Sequence, residues 1–372
     1  MPNRVLFTGH GGFVGHHCLK YFLDNTDWEL VCIDSFRHKG TVRRVVESIS
    51  DNKRVKTYKH DLSVPIDPQL DSLIVNARLD PDSFAVSREP IDFIINMASE
   101  SAVERSTLDP VSCLRNNYEL MINMLEYARK CQGLKLFLHI STDEVYGEAP
   151  ERGGHKEWAT IMPSNPYAAS KAAQEALAIA YWRTYNLPIV IVNIMNIIGE
   201  RQDPEKFLPK IIQKVAKGEE MPIYGDSPDK IGSRVYIHAH NVASALVHLS
   251  YMKPKTYRNA LKMYQNRDCL PPWGNPNDYE VIDADYVRPD RFNICGDTEL
   301  NNLELAQMVA GIMGKELKYK LVPSESARPG YDRRYMLDGS KLHYAGWRPP
   351  LSFKQSLERI VNWTLKNPHW LV

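Results

Sequence analysis

No stretch of this 372-residue chain approaches the roughly 20 consecutive apolar residues that a membrane-spanning helix requires, so no membrane partner is expected. Cysteine is sparse and unpaired in pattern. Cys18, Cys32, Cys113, Cys131, Cys269 and Cys295 are scattered with no Cys-x-x-Cys spacing, which reads as free thiols in a reducing compartment. The twelve histidines contain no His-Glu-x-x-His pattern, and His16-His17 falls inside a predicted helix, so no metal site is expected. Charge of one sign is also missing. Lys and Arg number 46 against 45 for Asp and Glu, leaving a formal +1 without a long basic run. That balance argues against a nucleic-acid binder, although a local arginine cluster could still hold a small anion. There is no internal repeat. The first predicted strand starts almost at Met1, leaving no room for a signal peptide, and the expectation is a soluble cytoplasmic protein.

What is present is an alternation of short apolar runs with longer helical patterns. Residues 4–8, 29–34, 54–59, 92–96, 134–140 and 189–192 read as strands, with helices clearest at 13–24, 111–131 and 166–185. Strand–helix alternation implies parallel pairing with right-handed crossovers, hence an α/β fold with a doubly wound sheet over residues 1–193. After about Asn193 prolines and turn residues become frequent. Helical patterns recur at 205–217, 300–313 and 353–365, so residues 194–372 are expected to form mainly a smaller α+β domain that binds substrate. Residues 253–290 are polar, rich in Pro, Asn and Tyr, and without periodicity. An insertion of that length is uncommon unless it covers a site or a partner surface.

Directly after the first strand, Thr8-Gly9-His10-Gly11-Gly12-Phe13-Val14-Gly15 opens the first helix. Gly9, Gly12 and Gly15 allow a tight turn, close backbone approach to a pyrophosphate and close helix–strand packing. This makes the sheet Rossmann-like, although Gly-x-x-Gly-x-x-Gly differs by one residue from the simple dinucleotide fingerprint. Asp34, followed by Ser35, ends the second strand. A carboxylate there accepts hydrogen bonds from ribose hydroxyls and repels a 2′-phosphate, favouring NAD over NADP. Arg37, His38 and Lys39 follow closely enough to cradle that phosphate instead, and Asp34 could also be a cap or turn residue. Asp61 and Leu62 follow the third strand and could meet the adenine edge, where a lone Asp is equally often a turn former.

Two further elements carry chemistry. Thr142-Asp143-Glu144 places a hydroxyl and two carboxylates at a predicted strand end, and Tyr167-Ala-Ala-Ser-Lys171 places a phenol and an amine on one helical face. A phenol titrates near 10, and bringing it to about 7 takes roughly 4 kcal/mol of preferential phenolate stabilisation. The ammonium of Lys171 and the positive ring of an oxidised nicotinamide are candidate sources. The Ser164-Asn165-Pro166 start and the small face Ala168, Ala169, Ala172, Ala173 suggest a closely packed helix whose first turn aims at the sheet edge.

With these residues in view, the chain resembles an extended short-chain dehydrogenase/reductase of the NAD-dependent epimerase/dehydratase group, and within it the dTDP-glucose 4,6-dehydratases. The matching segments are Thr8–Gly15, Met97–Ser106, Ser141–Gly147, Pro166–Lys171, Pro204–Pro209 and Arg328–Asp338. The resemblance implies that Met97, Ala98 and Ser99 join the cofactor site, with Tyr167 and Lys171. It implies a nucleoside-diphosphate sugar as substrate, held by Ser99, Asn196, Lys206, Arg234 and Arg328, with Tyr224 in the strand lining the base pocket. It also implies a three-stage reaction. Tyr167 takes the proton of the sugar 4-hydroxyl as hydride leaves C4, with Thr142 steadying that oxygen. Glu144 then removes the C5 proton while Asp143 protonates the departing 6-hydroxyl, and hydride returns to C6. Neighbouring side chains on an extended segment point opposite ways, so the loop must curl for both acids to serve. Relatives pair as homodimers through a four-helix bundle, here expected from 111–131 and 166–185.

Three departures bear on the substrate. Gly232–His240 has its arginine shifted two places, with Ala239 where relatives carry an acid; Tyr331, a further substrate-binding candidate in a stretch that the resemblance links to nucleotide binding, stands where relatives commonly have His; and Asn96 replaces another His. A 4-epimerase or decarboxylase of the same group is the alternative, but epimerases typically lack the Asp-Glu pair and decarboxylases commonly carry Ser for Asp143. A non-catalytic NAD-binding regulatory protein is a third reading.

Overall fold

The computed structural model describes residues 2–49, 52–79, 86–258, 287–323, 330 and 332–372. The insertion at 253–290 therefore lies largely outside the described residues, as do Cys269, Arg328 and Tyr331. Seven parallel strands form the central sheet: β1 (Arg4–Thr8), β2 (Glu29–Asp34), β3 (Val55–Lys59), β4 (Phe93–Asn96), β5 (Leu136–Thr142), β6 (Ile189–Ile194) and β7 (Asp290–Ile294). Their order is β7-β6-β5-β4-β1-β2-β3, all paired in parallel. The chain starts in the middle, winds outward through β2 and β3, then returns to the other side of β1. The crevice outside the carboxyl ends of β1 and β4 is thus the switch point where such sheets bind ligands.

Apart from the partly exposed edge strand β3, the strands form where the apolar runs are, because helices cover both faces. Val5, Phe7, Leu30, Cys32, Leu136 and Leu138 face one cluster with α1 (Phe13–Asn25) and α6 (Ala239–Ser250). Their neighbours Leu6, Val31, Ile33, Ile94 and Phe137 face the other, with α3 (Pro110–Lys130) and α4 (Pro166–Tyr185). Alternate residues of one strand serve opposite cores. Both α3 and α4 begin with proline at the first turn, capped by Asp109 and Asn165 whose side chains accept from Ser112 N and Ala168 N. A third cluster joins α5 (Phe207–Lys217), α7 (Asn302–Ile312) and α8 (Phe353–Lys366). Asn301 and Glu304 close a capping box on α7, which is why that helix starts two residues later than its periodicity suggests.

Three features depart from the sequence expectation. β5 continues through Thr142 and β6 through Ile194, two residues beyond the apolar runs, since polar residues at a carboxyl edge can still pair. β7 comes from the second half of the chain yet lies against β6 at the sheet edge. It is one isolated strand after a polar stretch, with no strand–helix rhythm to betray it. The helices α2 (Val42–Ser48) and α6 were also unforeseen; α6 is rich in small residues and mixes polar with apolar positions. Among the described residues no helix is long and apolar enough to cross a membrane, and the five described cysteines are free.

β7 brings Arg291 into the core, where its Nη2 meets Glu175 Oε2 of α4 at 2.6 Å with 1% and 0% of the side chains exposed. Removing one partner leaves the other charge buried and unpaired. Glu175→Ala is therefore expected to lower the unfolding free energy by roughly 3–5 kcal/mol, read from urea melts against wild type.

Candidate active site

A cleft of about 700 Å³ opens at the carboxyl edge of the sheet. Every site residue named from the sequence, apart from Arg328 and Tyr331, lines it. The cradle for a dinucleotide is built from backbone. Gly9 takes φ +77° and donates its N–H to Ile33 O at 2.9 Å, and a side chain there would meet Ala98 N at 2.8 Å. A Cβ on Gly15 would fall 2.1 Å from Gly9 O, so the helix can approach the turn only with glycine. Gly12 caps α1 without any side-chain hydrogen bond, leaving the first helical N–H groups and the positive helix end for an anion. Thr8 Oγ1 accepts from Met97 N and Ala98 N, both at 3.1 Å, and so holds the β4 loop beside the turn. These features fit a pyrophosphate.

Asp34 accepts from Gly11 N at 2.9 Å and Phe36 N at 2.8 Å, one bond to each oxygen, which leaves further lone pairs on both oxygens. The basic side chains that follow it face carboxylates: Arg37 meets Asp61, His38 lies 3.8 Å from Glu100, and Lys39 meets Glu205 at 2.5 Å. Asp61 also accepts from Ser63 N and Oγ, so it acts as a turn former and arginine partner as well as a wall of the cleft. A 2′-phosphate here would meet the Asp34 carboxylate, beside Arg37 and Lys39 that already have acidic partners.

The Thr142–Glu144 and Tyr167–Lys171 segments meet at this edge. Asp143–Tyr146 is a 3₁₀ turn rather than extended chain, which removes the alternation that would have split the two acids. Thr142 caps the turn, accepting from Glu144 N at 3.3 Å while its hydroxyl donates to Asp143 Oδ1 at 3.0 Å. Asp143 is buried, and its Oδ2 has no partner among the described residues. Burial first, and the charge of Glu144 second, push its carboxyl up to about 7. Glu144 is half-buried and accepts from Asn165 Nδ2 at 2.8 Å. One residue therefore both caps the helix carrying Tyr167 and aims the neighbouring carboxylate; the sequence marked Asn165 only as a helix start.

Tyr167 is held protonated by burial, then by the charges of Glu144 and Asp143, against a hydrogen bond with Thr142. Lys171 donates to Ile140 O at 2.7 Å and Gln174 Oε1 at 2.6 Å, and burial brings it down to about 7 with Glu175 opposing. Its ammonium is thus committed to a backbone carbonyl and an amide. Behind it, Asn193 Nδ2 donates to Glu175 Oε1 at 2.7 Å and to Thr142 O at 3.0 Å, linking the buried ion pair to the 3₁₀ turn.

Elsewhere in the cleft Asn196 sits at φ +26° with its buried Nδ2 lacking a partner among the described residues, a donor available to a ligand oxygen. Lys206 and Tyr224 are exposed in the cleft. Arg234 donates to the carbonyls of Ser233, Arg333 and Asp332, the last at 2.8 Å, and lies 4.2 Å over the Tyr335 ring. Its shift in sequence thus ties the Asp332–Tyr335 segment to the cleft wall. Tyr335 itself was missed. Its hydroxyl is buried without a partner among the described residues, and it faces the charge of Glu144. Only its place in the Arg333-Arg334-Tyr335 run could have signalled it. No group of His, Cys, Asp or Glu among the described residues is arranged to hold a metal.

Fold and cleft together define a nucleotide-binding α/β enzyme of the short-chain dehydrogenase/reductase type. The chain belongs to the NAD dependent epimerase/dehydratase family, whose sequence model matches residues 5–257. It is 29% identical to dTDP-glucose 4,6-dehydratase 1 of Escherichia coli K12, covering 99% of this chain and 94% of that one. It is 27% identical to a trifunctional UDP-glucose 4,6-dehydratase/epimerase/reductase of Arabidopsis thaliana, covering 99% of this chain but only 48% of that longer protein. Among solved structures, the dTDP-glucose 4,6-dehydratase DesIV of Streptomyces venezuelae with NAD bound is similar at TM-score 0.77 and 26% identity, covering 99% of this chain and 98% of that one. A UDP-glucuronic acid 4-epimerase of Bacillus cereus, at TM-score 0.77 and 22% identity over 98% and 99% of the chains, shares the fold.

NAD is accordingly expected to bind at least about tenfold more tightly than NADP, a difference of about 1.4 kcal/mol, in calorimetric titration of the nucleotide-free protein. Equal affinities would contradict the role given to Asp34.

Proposed function

We propose that this protein is a nucleoside-diphosphate-sugar 4,6-dehydratase, a lyase converting an NDP-hexose to its 4-keto-6-deoxy form. The observation that carries the reading is the division between the two adjacent acids. Asp143 is buried and pushed up to about 7, so it can hold a proton to give. Glu144 is more open and hydrogen-bonded by Asn165, so it can take one. Water elimination needs that pair in those two states at once. A 4-epimerase needs only the phenol, and would leave a buried acid beside a carboxylate without a task.

Bound NAD would accept hydride from C4 and return it to C6, and its positive ring would oppose the burial that keeps Tyr167 protonated. Tyr167 then takes the 4-hydroxyl proton, with Thr142 steadying the same oxygen. The 4-keto group acidifies C5, Glu144 removes that proton, and Asp143 protonates the departing 6-hydroxyl. Asn196 and Lys206 suit the diphosphate and Tyr224 the base, with Arg328 and Tyr331 carried over from the resemblance. The dehydratases among the relatives support this substrate class, and the altered Gly232–His240 segment leaves the base and hexose to be assigned by assay.

We further propose a cytoplasmic homodimer built on α3 and α4 as a four-helix bundle. Val111, Leu114 and Tyr118, spaced three and four apart on α3, are exposed and suit such a seam. Light scattering at micromolar concentration should report twice the chain mass; a monomer would remove the bundle.

Glu144→Gln is expected to cut turnover by roughly 10²–10⁴-fold while reduced cofactor builds up on the enzyme, seen as near-ultraviolet absorbance in a single turnover. Normal turnover would remove Glu144 as the base. Because Asp143 keeps its proton below about 7 and loses it above, the wild-type elimination rate should fall as pH rises through about 7. A profile flat from pH 6 to 9 would deny Asp143 the acid role.

A further inference from the structure

Arg44 lies on α2, away from the reacting residues, yet only 2% of it is exposed. Its guanidinium spends its donors on two separate loops. Nη1 donates to Lys39 O at 2.6 Å, in the loop that follows Asp34 and Ser35. Nε and Nη2 donate to Arg201 O at 3.2 and 2.9 Å, and Nη2 faces Asp203 Oδ1 at 3.0 Å, in the loop that runs from Ile198 to Lys206. Both loops line the cleft, the first through Arg37 to Gly40 on the cofactor side, the second through Gln202, Asp203, Glu205 and Lys206 on the substrate side. A second tie joins them, Lys39 Nζ to Glu205 at 2.5 Å.

The substrate-side loop is also anchored from behind. Glu200 pairs with Arg359 of α8 at 2.6 Å and His238 at 3.2 Å, and His17 Nε2 meets Glu200 O at 2.9 Å. Arg201 pairs with Glu47 of α2 at 3.2 Å and lies 4.8 Å over Trp363. A loop fixed on that side cannot drift with the cofactor loop, so parting the two would strip a buried guanidinium of its acceptors. Such a loss is costly, because a buried charge without partners is among the least favourable arrangements in a protein.

We propose that Arg44 is a positioning residue that straps the cofactor loop to the substrate loop and thereby sets how fast NAD leaves the cleft. The inference rests on the cofactor reading of the Gly9–Gly15 turn and not on which sugar is used. It answers a need of the proposed reaction. The cofactor reduced in the first stage must still be present to return its hydride in the third, so an early departure would strand the intermediate.

The test is exchange of NAD on the purified full chain. The protein is loaded with isotopically labelled NAD, chased with unlabelled NAD, and sampled by rapid desalting. Arg44→Met and Asp203→Asn are expected to speed exchange at least about tenfold, the loss of one charge-assisted hydrogen bond. Lys39→Met, at a half-exposed position, should speed it by a smaller factor, and Arg44→Lys should fall between wild type and Arg44→Met. A purely structural role would lower the melting temperature and leave the exchange rate unchanged. If Arg44→Met does not fold, Asp203→Asn and Lys39→Met carry the test. Exchange at the wild-type rate in the folded variants overturns the strap. A wild-type protein that retains no NAD overturns the cofactor reading instead, so the two failures are distinct.

Discussion

The ion pair of Glu175 and Arg291 joins α4 to β7 with almost none of either side chain in water. Arg291 reaches it from the second half of the chain, lies 4.2 Å over the Trp158 ring and donates to Tyr146 OH at 3.1 Å. Glu175 passes the constraint on through Asn193 to the carbonyl of Thr142, where the 3₁₀ turn begins. It also stands one helical turn beyond Lys171 and opposes the loss of that residue's proton. A buried charge pair is a poor source of net stability. Its worth here is geometric, because the strand end, the helix with the phenol and the edge strand must all be in place for either charge to be satisfied.

That geometry bears directly on the two acids. In an extended segment Asp143 and Glu144 would face opposite sides of the chain, and only one could face the cleft. The 3₁₀ turn brings both to the cleft while giving them unlike surroundings, one dry and partly unpartnered, the other open and hydrogen-bonded by Asn165. A shared environment would have set two like carboxyls competing for one proton. Unlike burial resolves that competition in favour of the buried one.

The cofactor end obeys a different constraint. Glycines admit backbone where a side chain could not fit, and Thr8 fastens the facing loop by two N–H groups. The cations that could have served a 2′-phosphate are drawn into pairs, one of which reaches across to the substrate loop. Local charge pairing thus ties the loop that follows Asp34 to the loop that carries Glu205.

Much of the architecture was legible before any coordinates. Apolar runs marked most of the sheet's strands, because a strand covered on both faces must be apolar throughout; the edge strand β3, Val-Lys-Thr-Tyr-Lys, is partly exposed and escapes that rule. The glycine turn, the Tyr167–Lys171 spacing and the acid pair were also visible, since each depends on residue type at short separation. The seventh strand, the tie from Arg291 to Glu175, the reach of Asn165 to Glu144 and the presence of Tyr335 in the cleft were not. Each joins residues far apart in the chain, or turns on which way a side chain points, and neither leaves a local pattern. The state of Asp143 belongs with them: a carboxyl's affinity for its proton is set by how much water the completed fold leaves around it, and no run of residues encodes that alone.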